Sequence, residues 1–413
     1  MHEKIFPKPA IEAKHREGLL GAHFDCFVSW MQEHGYSRET MRYHIQRVTH
    51  FGKYLEQRGI RSIHELESAH GQELLVTYQQ YWKAKGYWNR NHGLRLYIRA
   101  LKEAGVIKGL ASKDSQLSLD IEQYACFLKS QKGLSESTIN YHIHWAEKFL
   151  RFLGPGKDSS SISPFGIGDI DKFIVKEGVR LKRTTQQLVA YVLRTFTRFL
   201  YQSGKLSSDL SCLITSPRCY KMESLPRVLN WDEVKKILHS VDLSLKIGLQ
   251  HYAILILLTT YGLRAGEVAQ IKLDDINWRK ETIHISQKKS GRDLWLPLTP
   301  QVGKAILNYL KRGRPPSKHR EIFLLTCAPW NPLTSSNIAY VVRRHIKLAE
   351  LDAPHRGPHI IRHSFATHLI REGVPLKEIG DMLGHRSPES THIYTKTATE
   401  NLREVALEVP EVE

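Results

Sequence analysis

Residues 359–394 read HIIRHSFATHLIREGVPLKEIGDMLGHRSPESTHIY, and this pattern predicts two consecutive helices. The first should run from about 358 to 372, because apolar side chains recur at helical spacing until Gly373. The second should run from about 376 to 383 and end at Gly384 for the same reason. Imidazole, guanidinium and phenol groups gather here without an acidic cluster. That inventory favours an anionic substrate such as a phosphodiester over a metal ion.

Four polar side chains of this stretch are candidate site residues. His359 and Arg362 are three positions apart and so share one face of the first predicted helix. His385 follows the glycine that ends the second helix, and Tyr394 comes nine residues after it. The spacing therefore predicts that a guanidinium, two imidazoles and a phenol meet at one site.

These residues, with two motifs further upstream, resemble the signature of the tyrosine recombinases of the phage integrase and Xer type. The upstream motifs are YGLRAGEV, which contains Arg264, and QKKSGR, which contains Lys289 and precedes the strand-like LWLPL. The resemblance covers about residues 228–400, where the motifs occur in the family's order and spacing. The segment before it matches the family only in its general helical pattern.

The resemblance implies a site-specific DNA recombinase, of the integrase or transposon-borne kind, that needs no metal ion, ATP or other cofactor. Tyr394 would be the nucleophile and would form a 3′-phosphotyrosine link, which the 5′-hydroxyl of a partner strand attacks to give a Holliday junction. Arg264 and Arg362 would bind the phosphate oxygens, because the guanidinium fork suits two oxygens at once. Glu267, three residues after Arg264, is expected to pair with that arginine or with another cation and so to hold it in place.

Three further residues are expected to move protons or bind oxygen. Lys289 would be the general acid for the leaving 5′ oxygen, with the adjacent Lys288 as the alternative. His359 would accept or relay the proton of Tyr394, since an imidazole titrates near neutrality. His385 would hydrogen-bond a non-bridging phosphate oxygen.

Competing interpretations remain open at this point. A zinc site is disfavoured, because His359 and His363 lack the glutamate of an HExxH motif and no cysteine is near. A type IB topoisomerase or telomere resolvase would use the same chemistry to reseal strands. A catalytically idle DNA-binding protein on this fold is the third alternative, and it is disfavoured because all six expected positions are filled.

Composition agrees with a nucleic-acid partner. The 413 residues carry 60 Lys and Arg against 42 Asp and Glu, a formal net charge of +18. Such a surplus favours a polyanion. No apolar run reaches the 18–20 or so residues that span a bilayer, so no membrane association is expected. Five scattered cysteines without a C-x-x-C pair favour reduced thiols in a cytoplasmic protein. The family resemblance implies that the protein is prokaryotic and associated with the nucleoid.

The chain before the signature contains two helical blocks, at 19–110 and 117–208. They align at an offset of 98, with matching residues Gly35, Ser37, Thr40, Tyr43, His44, Ile45 and Phe51 in the first block and Gly133, Ser135, Thr138, Tyr141, His142, Ile143 and Phe149 in the second. The match indicates a duplicated helical unit, although two amphipathic helices can also agree by chance. The first block would be a second DNA clamp, an arm-type DNA-binding domain or a protein-contact domain.

The predicted fold is mainly α with a small antiparallel β-hairpin sheet in the catalytic domain. The resemblance implies a DNA breaking-rejoining catalytic fold preceded by SAM-like helical core-binding domains, of which 117–208 is the DNA clamp. The remaining predicted parts are a flexible N-terminus at 1–18, a linker at 209–229, the catalytic domain at 230–397 and a tail at 398–413.

Double-stranded DNA with specific recombination sites is the expected partner. A homo-tetramer, built as a dimer of dimers, would form at the synapse through the tail, with or without a sister recombinase. Basic residues of the clamp, linker and catalytic domain are candidate phosphate contacts. They are Lys182, Arg183, Arg194, Arg198, Arg218, Lys221, Arg292, Arg343 and Arg344.

Overall fold

A computed structural model describes most of the chain. The described residues are 5–6, 8–84, 90–107, 115–154, 165–218, 228–287, 292–353, 357–384, 391 and 394. They are mostly helical and contain one three-stranded antiparallel sheet, which confirms the predicted fold class. The chain separates into two compact units, Met1–Ser29 with Glu39–Glu223 and Trp30–Arg38 with Ser224–Glu413.

The described residues before position 219 form nine α-helices. They are α1 (Pro9–Arg16), α2 (Phe24–Glu33), α3 (Arg38–Glu56), α4 (Ala69–Ala84), α5 (Arg90–Glu103), α6 (Ser115–Ser130), α7 (Glu136–Leu153), α8 (Ile167–Gly178) and α9 (Arg183–Gln202). Each longer helix buries one apolar face, as its sequence period requires.

Helices α2–α5 and α6–α9 follow one another in the same order at nearly constant offset. Residues 38 and 69, which begin α3 and α4, become 136 and 167 after adding 98, and these begin α7 and α8. Buried residues correspond as well, since Phe51 and Phe149 are both 0% exposed. In the fourth helix of each set the offset is 99, and it aligns Arg95, Tyr97, Arg99 and Leu101 with Arg194, Phe196, Arg198 and Leu200. Duplication of one four-helix unit would produce this correspondence.

The described residues from 228 onward form seven α-helices and the sheet. The helices are α10 (Trp231–His239), α11 (Lys246–Tyr261), α12 (Ala265–Gln270), α13 (Pro300–Arg312), α14 (Ser335–Leu348), α15 (Pro358–Arg371) and α16 (Leu376–Leu383). The strands are β1 (Ile276–Asn277), β2 (Thr282–Gln287) and β3 (Arg292–Pro297). Sequence reasoning found the β2–β3 hairpin and missed β1, which is only two residues long.

Helix α11 is the central helix of this unit. It is mostly apolar and buried on several sides, and Ala253, Leu255 and Leu257 are each 0% exposed, as expected for a helix surrounded by protein. The helix ends at Gly262, whose φ of +62° closes the last turn in the left-handed region. This turn leads directly into Arg264, so the core helix fixes the position of a candidate site residue.

Strand β2 carries alternating buried residues and pairs with β3 in register Ile283↔Leu296. The register leaves Gln287 and Arg292 opposite each other at the end of the hairpin where residues 288–291 join the two strands. Gln287 is 1% exposed. The tip of the hairpin, residues 288–291, lies outside the described residues. Among the helices that the structure describes, none is long and apolar enough to cross a membrane.

Two histidines form a buried polar chain within the unit that contains α10–α16. His345 Nδ1 lies 2.9 Å from Ser240 Oγ, and His345 Nε2 lies 2.9 Å from His251 Nδ1. Burial, helped by the nearby His345 and Arg344, lowers the pKa of His251 to about 4, and burial also lowers that of His345. Both rings are therefore neutral in the folded protein near pH 7.

This pair predicts that the unit loses stability in mild acid. Between about pH 6.5 and pH 4 the unfolded chain binds a proton at His251 that the folded chain does not, so the free energy of unfolding falls as pH falls. For His251 alone the loss at pH 5 should be on the order of 1–2 kcal/mol. Urea unfolding of the full chain at pH 7.5 and pH 5 measures it. His251→Gln should show a smaller pH effect than the wild type, whereas the exposed-site control His239→Gln should not. An equal pH effect in His251→Gln and wild type would contradict the assignment.

Candidate active site

Arg362 is the buried centre of the candidate site. It lies on α15 and is 4% exposed. Its Nη1 donates to the carbonyl oxygen of Gly262 at 2.8 Å, and its Nη2 donates to that of Leu383 at 2.8 Å. One guanidinium thus joins the C-terminal ends of α11 and α16. The two bonds fix its plane, because a guanidinium donates in a rigid fork.

The charge of Arg362 is poorly compensated within the protein. Burial, and next the positive charge of Arg264, lower the pKa of Arg362 to about 10. Tyr394 and Glu267 act in the opposite direction. Two cations held close together in a buried place are stabilised when an anion binds between them. The arrangement therefore suits a phosphate.

Arg264 is positioned by Glu267. Its Nη1 donates to Glu267 Oε1 at 2.7 Å, and its backbone N–H donates to Glu267 Oε2 at 2.8 Å. The carboxylate is 7% exposed and caps the first turn of α12. Glu267 therefore orients the Arg264 side chain and anchors the backbone from which it starts, as the sequence suggested.

Tyr394 is enclosed by apolar side chains. It is 2% exposed and packs with Phe365, Ala366, Ile379 and Leu383. Burial raises the pKa of its phenol, while the charge and hydrogen bond of Arg362 and the charge of Arg264 counteract that rise. A buried phenol that faces two guanidinium groups has its oxygen where a phosphate would bind.

The phenol also contacts a histidine that sequence reasoning did not assign. His363 Nδ1 lies 3.2 Å from the Tyr394 hydroxyl, and the ring centroids are 5.4 Å apart. His359, which the sequence suggested as the proton acceptor, is exposed, and its ring centroid is 6.3 Å from that of His363. The only sequence signal for His363 was its place directly after Arg362.

Gln287 is a second residue that sequence reasoning missed. Its Nε2 lies 3.5 Å from the Leu383 carbonyl oxygen, which also accepts from Arg362. A Cβ on Gly384 would stand 2.1 Å from the Gln287 amide, so a larger residue there would displace that amide and would also be strained by the φ of +63°. The last residue of β2 therefore lies against the end of α16. This contact places the last residue of β2, just before the turn of the hairpin, beside Arg362.

The structure thus brings together three of the six predicted catalytic residues, namely Arg264, Arg362 and Tyr394. His359 lies on α15, one turn before His363. Lys289, its alternative Lys288 and His385 lie outside the described residues, so their roles stay predictions. Among the residues that the structure describes, no three His, Cys, Asp or Glu side chains form a group that could hold a metal ion.

The predicted phosphate contacts differ in what the structure shows. Lys182, Arg183, Arg218, Arg343 and Arg344 are exposed, and their contact with DNA stays a prediction. Arg194 donates to the Ile214 carbonyl oxygen at 2.8 Å and to Ser216, and Arg198 donates to Ser211 Oγ at 3.2 Å. These two arginines hold the segment after α9 in place. Lys221 and the side chain of Arg292 are not among the described parts.

Comparison with known proteins gives consistent matches. Residues 227–401 match the model of the phage integrase family. A Sinorhizobium fredii protein named integrase/recombinase y4rA is 30% identical over 399 residues, 95% of this chain and 95% of that protein. Tyrosine recombinase XerD of Listeria innocua is 31% identical over 291 residues, 69% of this chain and 96% of its own length.

A solved structure supports the fold. The structure of the XerH site-specific recombinase, bound to a palindromic difH substrate in a post-cleavage complex, matches with a TM-score of 0.54. The sequences are 22% identical, and the match covers 69% of this chain and 83% of that one.

The Gly262 turn predicts a matched pair of variants. Gly262 and Gly373 both have positive φ, +62° and +79°, so alanine should cost roughly 1–2 kcal/mol at either position. Only at Gly262 would the added Cβ meet other atoms, at 2.5 Å from Phe365 and 2.9 Å from Leu383. Gly262→Ala should therefore lower the free energy of unfolding more than Gly373→Ala, measured by urea unfolding. Equal losses of unfolding free energy in the two variants would show that the Gly262 turn can move away from Phe365 and Leu383. That result would contradict tight packing around the Gly262 carbonyl oxygen, which accepts from Arg362.

Proposed function

Because the chain belongs to the phage integrase family and is a tyrosine-type site-specific DNA recombinase, we propose that Tyr394 cuts DNA through a 3′-phosphotyrosine link. The reaction needs neither a metal ion nor ATP. The observation that carries the proposal is the meeting of the Tyr394 phenol with the guanidinium groups of Arg362 and Arg264, in the family's motif positions.

The two arginines take the place of a metal ion. The pentacoordinate transition state adds negative charge to the non-bridging oxygens, and fixed cationic donors stabilise that charge. Arg362 is fixed by two carbonyl oxygens and Arg264 by Glu267, so neither has to reorganise when the phosphate arrives. Arg264 and Arg362 bind the non-bridging oxygens in this proposal, and His385 donates a further hydrogen bond to one of them.

The departing 5′ oxygen needs a proton, and Lys289 is proposed to supply it. Position 289 belongs to the hairpin tip that joins β2 and β3. Gln287, the last residue of β2, contacts the end of α16 next to Arg362. Lys289 follows Gln287 by two residues, so its backbone starts from a position that this contact fixes.

The covalent link keeps the energy of the broken phosphodiester bond. The 5′-hydroxyl of a second duplex then attacks the phosphotyrosine and releases Tyr394, which exchanges strands and passes through a Holliday junction. Such an exchange needs several protomers on paired duplexes, and we propose a homo-tetramer. The family, the net charge of +18 and the exposed basic residues support double-stranded DNA as the partner.

A nicked suicide duplex tests the nucleophile. The site itself is obtained by sequencing the DNA that stays covalently attached to the protein after incubation with sheared DNA from its host. A nick beside the cleaved phosphate lets the short 5′ fragment diffuse away, so the protein–DNA adduct accumulates and is visible on a denaturing gel. Tyr394→Phe should abolish the adduct and keep DNA binding. An adduct that persists in Tyr394→Phe would refute the proposal.

DNA products joined between two duplexes distinguish recombination from strand resealing and from DNA binding without cleavage. Two duplexes carrying the site should yield strands joined across duplexes, whereas a type IB topoisomerase or telomere resolvase would reseal strands without exchanging partners between duplexes. A protein that binds the site and forms no adduct would be the idle binder.

A modified leaving group tests Lys289 against Lys288. A 5′-bridging phosphorothiolate leaves as a thiolate and does not need protonation, because a thiol is far more acidic than an alcohol. Lys289→Ala should cut the normal duplex slowly, about 100-fold or more below the wild type, and cut the phosphorothiolate duplex at nearly the wild-type rate. Lys288→Ala is the matched control and should be affected little on either duplex. Rescue of Lys288→Ala alone would reverse the assignment.

A further inference from the structure

We infer that His363, and not His359, accepts the phenolic proton of Tyr394 when the phenol attacks phosphorus, and returns it on religation. The inference rests on the proposed function, in which Tyr394 is the nucleophile, and adds a catalytic residue to it.

Direct contact with the phenol favours His363. A general base must lie within hydrogen-bonding reach of the proton that it takes, directly or through one water. His363 Nδ1 lies 3.2 Å from the Tyr394 hydroxyl. His359 is one helical turn earlier in α15, its residue is exposed, and its ring centroid is 6.3 Å from that of His363. His363 is thus an imidazole in hydrogen-bonding contact with the phenol.

Burial makes such an acceptor necessary. Tyr394 is 2% exposed, and burial raises the pKa of its phenol, so loss of the proton to bulk water is unfavourable at neutral pH. Arg362 and Arg264 lower the energy of the phenolate but carry no lone pair that can take a proton. His363, in contact with the phenol, has such a lone pair on Nδ1.

The protonation state of His363 fits this role. Burial, followed by the charges of His359 and Arg362, lowers its pKa to about 4. The ring is therefore neutral at pH 7, with its proton on Nε2 when Nδ1 accepts from the phenol. A bound phosphate places negative charge beside Arg362, and an added negative charge raises the basicity of a nearby imidazole. Substrate binding thus makes His363 a stronger base at the moment of attack.

The step balances in both directions. In cleavage, the bond between Tyr394 Oη and phosphorus forms and the bond from phosphorus to the 5′ oxygen breaks. The phenolic proton passes to His363 Nδ1, and the 5′ oxygen takes a proton from the proposed acid Lys289. In religation, an incoming 5′-hydroxyl attacks phosphorus and gives its proton to the lysine, while the imidazolium of His363 returns its proton to Tyr394.

The test is single-turnover cleavage of the nicked duplex by His363→Asn, in which an amide oxygen can accept a hydrogen bond but cannot hold a proton. At pH 7 we expect a loss of about 100-fold or more in the cleavage rate, with DNA affinity unchanged. The loss should shrink as the pH rises towards the range in which the phenol ionises unaided. His368→Asn, on the same helix and outside the site, is the matched control and should cleave at nearly the wild-type rate.

Two chemical substitutions separate this role from a structural one. A fluorinated tyrosine at position 394, whose phenol is more acidic, should restore much of the rate in His363→Asn. The 5′-bridging phosphorothiolate should not restore it, because that substrate relieves only the leaving group. His359→Asn, compared in the same assay, should lack the rescue by fluorotyrosine.

Several outcomes would overturn the inference. They are a wild-type cleavage rate in His363→Asn, a loss that is equal at every pH, or rescue by the phosphorothiolate instead of the fluorotyrosine. Any of these, in a protein whose Tyr394→Phe variant forms no adduct, refutes His363 alone. An adduct in Tyr394→Phe refutes the proposed function as well.

Discussion

The site depends on one buried guanidinium. Arg362 donates to the Gly262 and Leu383 carbonyl oxygens, and these two acceptors end helices that are more than 100 residues apart in the chain. Because both helices end in left-handed glycines, their last carbonyl groups turn towards the arginine. The same contacts fix what surrounds it: Gly262 leads into Arg264, and Leu383 also receives Gln287 from the hairpin. Removal of Arg362 would take this donor from the Gly262 carbonyl group and leave the Leu383 carbonyl group with the longer contact from Gln287.

Burial shifts the pKa values of Arg362 and Tyr394 in opposite directions. It lowers the pKa of Arg362 and raises that of Tyr394, and in each case the other group partly offsets the shift. The folded protein therefore holds two guanidinium groups together without a full countercharge, beside a phenol that stays protonated. A phosphodiester supplies the missing negative charge. In this account, binding of the substrate completes the electrostatic balance of the site.

Sequence reasoning found what is encoded locally. Helices α15 and α16 begin and end within a residue or so of the expected positions, because glycines and apolar spacing mark them. Arg264, Arg362 and Tyr394 were found through short motifs. His363 was missed, because its contact depends on where a tyrosine 31 residues later is placed by packing. The bond from Arg194 to the Ile214 carbonyl oxygen was also missed, because a basic side chain on an amphipathic helix does not reveal which later carbonyl group accepts from it; its contact with DNA stays a prediction.

The central claim is that the phenol of Tyr394, held beside Arg362, attacks phosphorus. Mass spectrometry of the covalent adduct measures this directly, after nuclease has trimmed the DNA and trypsin has cut the protein. The account predicts a nucleotide 3′-phosphate on the phenolic oxygen of Tyr394, within the peptide SPESTHIYTK that spans residues 387–396. A nucleotide attached to any other residue, or an adduct whose peptide 387–396 is unmodified, would contradict it.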